Sequence, residues 1–234
     1  MNIIKEINNY KEITEFLDNS EKSKRLKRLI KKQMFQKFKR ELKRRIYKMR
    51  KSNYLQLSEN KDRESYNLLL NCCHVSRSHL NEYISNNRIN AYLKEKLIER
   101  IQTKDRECFR LTDKGYKRFE KEIGSSHFRY HSRSIEHDLK LSDKYIEIMR
   151  DRNNEWKNEE DLKQERKQIL DSLREEGRFH DMERLSMCSV PDCVISSDIS
   201  YGFDIITDNY SNSQIESKEE YCELMNLECK FEKI

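Results

Sequence analysis

Glycine and proline are nearly missing: 4 Gly and 1 Pro in 234 residues. That excludes a turn-rich β sandwich and leaves helices to dominate. No apolar run approaches the ~18 residues of a membrane span, and the opening MNIIKEINNYKE lacks a secretory apolar core. The seven cysteines (Cys72, Cys73, Cys108, Cys188, Cys193, Cys222 and Cys229) contain no CxxC pair. An odd count without repeating spacing suits reduced thiols in a cytoplasmic protein. Cys72-Cys73-His74, with His79 nearby, invites a zinc reading. Zinc thiolates usually stand roughly two to four residues apart, however, so small buried hydrophobes account better for Cys72 and Cys73. A glycine-rich nucleotide loop, a Ser/His/Asp order and HxH or HExxH spacings are also missing.

What is present is charge, at 38% of residues against 35% hydrophobic, which means small cores and long solvated helices. The charge is unevenly placed. Residues 21–51 carry 16 Lys/Arg against 2 acids, whereas the stretch from Leu185 onward carries 10 acids against 3 Lys. A basic front and an acidic back direct phosphate contact to one end. Residues 2–18 read as a short helix. Residues 21–51 read as a long one, with Leu26, Ile30, Met34, Phe38, Leu42 and Ile46 four apart. At about 100° per residue that stripe rotates by roughly 200°, so no single flat surface covers it. Its Lys27, Arg28, Lys31, Lys39, Arg40, Lys43 and Arg44 are candidate phosphate contacts. A solvated helix, or one that binds an acidic protein or the chain's own acidic half, is the alternative.

Residues 61–124 give a helix at Glu64–Cys73 and a second through His79–Ile84, capped by Ser76. A turn at residues 85–88 leads to a third helix at Ile89–Ile101. A polar hairpin tip at Gln102–Glu107, a strand at Cys108–Leu111 and a helix opened by Thr112–Gly115 (TDKG) follow. An ordinary helical bundle with a loop would also fit, but this order resembles a winged-helix DNA-binding domain. Its third helix would enter the major groove and its wing would touch phosphate or the minor groove. Asn87, Arg88, Asn90, Lys94 and Lys96 are then candidate contacts, Arg and Asn suiting guanine and adenine and Lys suiting phosphate. Tyr92 is expected to be partly core, and Lys104 and Arg106 would meet the DNA backbone from the wing.

Beyond residue 124 the pattern predicts a long helix over Ser125–Arg150, a short strand around Trp156, and a helix Glu159–Glu176 capped by Asn158 and ended by Gly177. Strands at 189–196 and 201–207, a helix at Ser213–Leu227 and a strand at Glu228–Ile234 complete a small α/β layer. Pro191-Asp192 and Asp204 on neighbouring strands could hold a divalent ion, Mg²⁺ or Mn²⁺, that polarises a phosphate and activates water. A polar strand edge or a helix cap would equally account for them. His137-Asp138 beside Glu136 could supply a general base or an auxiliary carboxylate, or could simply be surface or packing residues.

The motifs LTDKG (111–115), EHDL (136–139), EWKNEEDL (155–162), VPDCVI (190–195) and YGFDIIT (201–207), with Lys218 and Tyr221, occur in an order that resembles the replication-relaxation type of plasmid and mobile-element protein. The resemblance covers about residues 65–225 and implies a winged helix joined to a PD-(D/E)xK nuclease-like domain. Asp192, Asp204 and Lys218 are its implied catalytic set, with Asp192 and Asp204 as metal ligands. A working nuclease of that kind carries Lys two residues after the second acid, where this chain has Ile206. Lys218 would have to substitute from the helix, and Asp208 reads as a turn acid.

The expectation is therefore a mainly α chain with a small α/β part: a basic helical region (1–60), a winged helix (61–124) and a degenerate nuclease-like domain (125–234). Its function would be cytoplasmic binding of double-stranded DNA in a plasmid, phage or conjugative element, serving replication, transfer or transcription control. A metal-dependent nuclease, and an adaptor recruiting a replication or transfer protein through the acidic end, are the rivals. No cofactor beyond the nuclease ion is implied. A homodimer would double the few base pairs one winged helix reads.

Overall fold

The computed structural model describes residues 21–52, 55–103, 106–132 and 134–234, in two compact units divided between Tyr54 and Leu55. The expected helix over 2–18 and the wing residue Lys104 lie outside the described residues. Among the described residues no helix is long and apolar enough to cross a membrane.

The first unit contains α1, Glu21–Ser52, 32 residues long and so about 48 Å at 1.5 Å per residue. Leu29, Phe35, Phe38 and Leu42 are exposed on it.

The second unit begins with α2, Glu59–Cys72, which buries Tyr66, Leu68, Leu69, Leu70 and Cys72. A two-residue strand β1, Val75–Ser76, runs into α3, Arg77–Asn81, where Ser76 and His79 cap each other reciprocally. Next comes α4, Asn86–Lys94, with Ser85 as its cap. The sequence pattern carries this helix from Ile89 to Ile101, but the helix starts earlier and stops at Lys94. Lys96 takes φ 56°, and the Lys96 and Leu97 amides donate back to Leu93 and Tyr92 at 3.0 and 2.8 Å. That reversal satisfies the last carbonyls of the helix and releases β2, Ile98–Gln102. Leu97 and Ile98 are buried at helical spacing, which is why periodicity alone extends the helix.

β2 pairs antiparallel with β3, Glu107–Leu111, and β1 pairs on β3's other edge, giving the order β1-β3-β2. Thr112 then caps α5, Asp113–Glu122, through the Gly115 amide at 2.9 Å. A Cβ on Gly115 would lie 1.8 Å from the Leu97 carbonyl oxygen, so glycine lets α5 press directly on the turn after α4.

The long helix expected over Ser125–Arg150 is shorter: α6 spans Ile135–Met149, capped by Ser134. The preceding segment is tied elsewhere, with the Tyr130 amide bonded to the Leu70 carbonyl at 2.9 Å and the Tyr130 ring buried. β4, Glu155–Asn158, leads into α7, Glu159–Glu175, which Asn158 caps with both the Glu160 and Asp161 amides. α8, Phe179–Met187, is an additional helix with no counterpart in the sequence-based expectation. β5 (Cys193–Ser196), β6 (Tyr201–Ile206), α9 (Asn212–Leu224) and β7 (Glu228–Lys233) follow. The sheet order is β4-β5-β6-β7, antiparallel except for the parallel β6–β7 pair.

Strand alternation divides this sheet between two cores. Cys193, Ile195, Phe203 and Ile205 join a core with Trp156, Tyr145 and Leu141, and the same core continues through Tyr66, Leu69 and Phe109. Val194 faces the other way, with Leu162, Leu185, Tyr221 and Cys222. Residue 124 is thus no break in packing, and from Leu55 onward the described chain is a single unit. The protein is mainly α with a small α/β part.

Candidate functional site

Two surfaces or clusters gather the candidate residues. On α4, Asn87, Asn90 and Lys94 are exposed at spacings of three and four, so they share one face. The opposite face is fixed by Ile89 and Tyr92, both at 0% exposure.

Arg88, expected as a base contact, is instead half-buried and paired inside the fold. Its Nε and Nη2 donate to Asp62 Oδ1 and Oδ2 at 2.7 and 2.6 Å, and Nη2 also reaches the Gln56 carbonyl at 2.6 Å. Asp62 is fully buried and also accepts from the Tyr92 hydroxyl at 2.5 Å and the Ser58 amide at 2.7 Å. Burial raises the Asp62 pKa, but the hydrogen bonds from Arg88, Tyr92 and Ser58 outweigh it and hold the carboxyl below its ordinary value. Arg88 is therefore the strut that fixes α4 on the start of α2.

Lys96 is exposed in the turn beyond α4. Arg106 is exposed on the β2–β3 hairpin, where the Thr103 amide bonds the Arg106 carbonyl at 3.0 Å. The hairpin cations Arg100 and Arg110 carry acid partners, Glu107 and Glu99, and Arg77 of α3 shares Glu107. On α1, Arg28, Lys31, Lys39, Arg40, Lys43 and Arg44 are exposed, and Lys27 lies in the same helix. Arg44 approaches Glu41 at 3.9 Å, the edge of ion-pair distance, and such exposed pairs contribute little.

The second site is buried. Asp192 stands in a bend immediately before β5, not on the strand as expected, because its amide donates to Asp204 Oδ2 at 3.2 Å instead of joining the ladder. The hairpin ladder ends on this side at Cys193↔Phe203, so Asp192 falls opposite Asp204 one step further on. Asp192 Oδ2 in turn accepts the Ile205 amide and His137 Nε2, each at 2.8 Å. Lys218 reaches across from α9 to Asp204 Oδ2. The sequence-predicted trio Asp192, Asp204 and Lys218 is thus brought together. Tyr221, one turn further along α9, packs instead in the second core, and Asp208 is exposed and paired with Lys233.

The cluster continues in the other direction. His137 Nδ1 contacts Asp138 Oδ1 at 3.3 Å, and Asp138 Oδ2 accepts from His74 Nδ1 at 2.7 Å. Burial disfavours charge on His137, but its bonds to Asp138 and Asp192 raise it to about 10. His74 is likewise raised, to about 9, burial being outweighed first by the Asp138 bond. Burial and then the charge of Asp192 push Asp204 up to about 7. Lys218 is opposed by burial, yet the two carboxylates hold it up at about 12. Asp138, Asp192 and Asp204 are therefore met by His74, His137 and Lys218, three acids by three bases.

This arrangement does not fit the Mg²⁺ or Mn²⁺ ion that the resemblance implies. Such an ion wants about six oxygen ligands and usually keeps several waters. Here Oδ2 of both aspartates is already engaged by protein donors, and Asp204 Oδ1 is the one carboxylate oxygen of the pair that is buried without a partner among the described residues. The sequence signals His137 through EHDL. His74 carries no signal beyond an unfavourable zinc spacing, and its link to Asp138 spans 64 residues. No protein-family model, curated protein or solved structure matches the chain.

Proposed function

We propose that this chain binds duplex DNA, with α4 as the recognition helix of a winged helix and α1 adding sequence-independent affinity. The observation that carries this reading is the division of α4: Ile89, Tyr92 and the Arg88–Asp62 pair anchor it, while Asn87, Asn90 and Lys94 project together. The order α2-β1-α3-α4-β2-β3-α5, with β3 central in its sheet, supports a winged helix. Asn suits adenine edges and Lys suits phosphate. The α1 cations supply the charge that releases counterions on DNA. The motif order that resembles replication-relaxation proteins supports a role in a plasmid, phage or conjugative element, in replication, transfer or its control.

In this reading the Asp192–Asp204–Lys218 cluster is an internally neutralised remnant that supports the fold. Lys218 and His137 occupy the carboxylates that a nuclease would leave to metal. The unpartnered Asp204 Oδ1 is the observation that favours the second reading, a metal-dependent nuclease. One gel assay separates them: supercoiled plasmid incubated with the full chain, with and without Mg²⁺ or Mn²⁺, scored for shift and for nicking. A shift without nicking is expected. Mn²⁺-dependent nicking that disappears in both Asp204→Asn and Lys218→Ala would establish the nuclease instead.

A further inference from the structure

Where α2 ends, the chain makes an unusual turn. Cys73 takes φ 59° and ψ −70°, and the His74 amide donates to the Cys72 carbonyl at 2.7 Å, closing a three-residue turn that a non-glycine residue adopts only under strain. Consecutive residues of a strand point to opposite faces. This turn instead turns two neighbours toward one place, since Cys73 Sγ, a His74 ring nitrogen and an Asp138 carboxylate oxygen all lie within 4.8 Å of one another. All three residues are buried. The sequence discourages a zinc site because Cys72 and Cys73 are adjacent, whereas zinc thiolates usually stand roughly two to four residues apart. The fold supplies the missing ligand from α6.

We infer that Cys73, His74 and Asp138 form a transition-metal site whose ligand set suits Zn²⁺, with water in the fourth position. Thiolate and imidazole together select zinc-like ions over Mg²⁺ or Ca²⁺. Tetrahedral zinc with the usual bond lengths spaces N, O and S ligand atoms by about 3.3–3.6 Å. All three ligand atoms lie within 4.8 Å of one another, and the ion would take the place of the proton between His74 and Asp138, 2.7 Å apart, releasing it to solvent together with the Cys73 thiol proton. Outer partners are in place as well. His137 holds the other Asp138 oxygen at 3.3 Å, and Ser142 Oγ, by bonding the His74 main-chain carbonyl at 3.3 Å, fixes the turn that presents the ring. The site joins the end of α2 to α6, and an ion there would clamp the α2–α5 part onto the α/β layer. Neither the ligand set nor the clamp depends on DNA binding.

Co²⁺ titration of the full, chelator-treated chain tests it, because a cobalt–thiolate bond gives its own charge-transfer absorption. One equivalent per chain should produce that band in the wild type and in Cys229→Ser, and Zn²⁺ should abolish it. Cys73→Ser should lose it. Zinc-edge X-ray absorption on the wild type, which needs no variant, should show a single sulfur neighbour at about 2.3 Å among N/O ligands. No cobalt–thiolate band in the wild type, the band surviving in Cys73→Ser, or a zinc shell with no sulfur or more than one would each overturn the inference.

Discussion

Arg88 shows how a side chain's partner decides its role. In sequence it is an arginine in a turn before a helix, which suggests base contact. In the structure it neutralises an aspartate with 0% exposure. Removing one partner of a buried pair leaves an uncompensated charge. Arg88→Ala should therefore cost about 3 kcal/mol in urea unfolding. A variant that unfolds like the wild type and loses only DNA discrimination would restore Arg88 as a reader. The pH dependence follows from Asp62, whose folded pKa lies below the ordinary 3.8. A depressed carboxyl stabilises the fold above its unfolded pKa, and that contribution fades as pH falls through the folded value. The stability gap between wild type and Asp62→Asn should accordingly be constant from pH 7 to 5 and narrow below about pH 4. Lys218 is tested the same way. Lys218→Met should destabilise by about 3 kcal/mol, moderated because Asp204 can take up a proton. Unchanged stability would argue that Lys218 is kept for chemistry. The pairing of Asp192 with Asp204 is readable from two strand motifs. Lys218 is named through the family resemblance and His137 through EHDL, but that they neutralise these aspartates is not readable, because His137 and Lys218 approach from helices 55 and 14 residues away from their partners.

At the scale of elements, caps and breaks are legible where they have chemical markers. Asn158, Gly177 and the TDKG turn each fall where the sequence puts them. Gly115 has a packing reason, and Gly115→Ala should cost about 3 kcal/mol, since the added methyl meets the rigid Leu97 carbonyl and no side chain can move aside. Thermal unfolding close to that of the wild type would mean that α5 can shift away from the turn. The end of α4 is hidden because Leu97 and Ile98 keep helical spacing while belonging to a reversal and a strand. The start of α6 is hidden because residues 125–134 contain no proline, and it takes long-range ties, Tyr130 to Leu70 and Phe128 to Asp161 and Asn158, to show that this part of the segment lies outside the helix. α8 escapes sequence reading because a nine-residue stretch that buries Leu185 alone among its residues carries too little apolar pattern to register.

On the scale of the molecule, the charge asymmetry is visible in the composition, whereas the shared core is not: Trp156 and Phe203 join Tyr66 and Phe109 across the boundary expected at residue 124. Long-range packing of this kind has no local sequence marker. The basic end makes its own prediction. Deleting residues 1–54 should flatten the slope of log affinity against log salt, by about 0.9 for each phosphate that α1 had neutralised. An equal slope in the shortened chain would show that α1 serves something other than DNA. The most direct test of DNA reading by α4 is selection from a random duplex pool by the full wild-type chain and by Asn87→Ala/Asn90→Ala. A defined motif is expected for the wild type, and for the variant discrimination weaker by about 1–3 kcal/mol for each base no longer read. No enriched motif with the wild type, or the same motif enriched equally by the variant, would contradict the assignment of α4 as the reader.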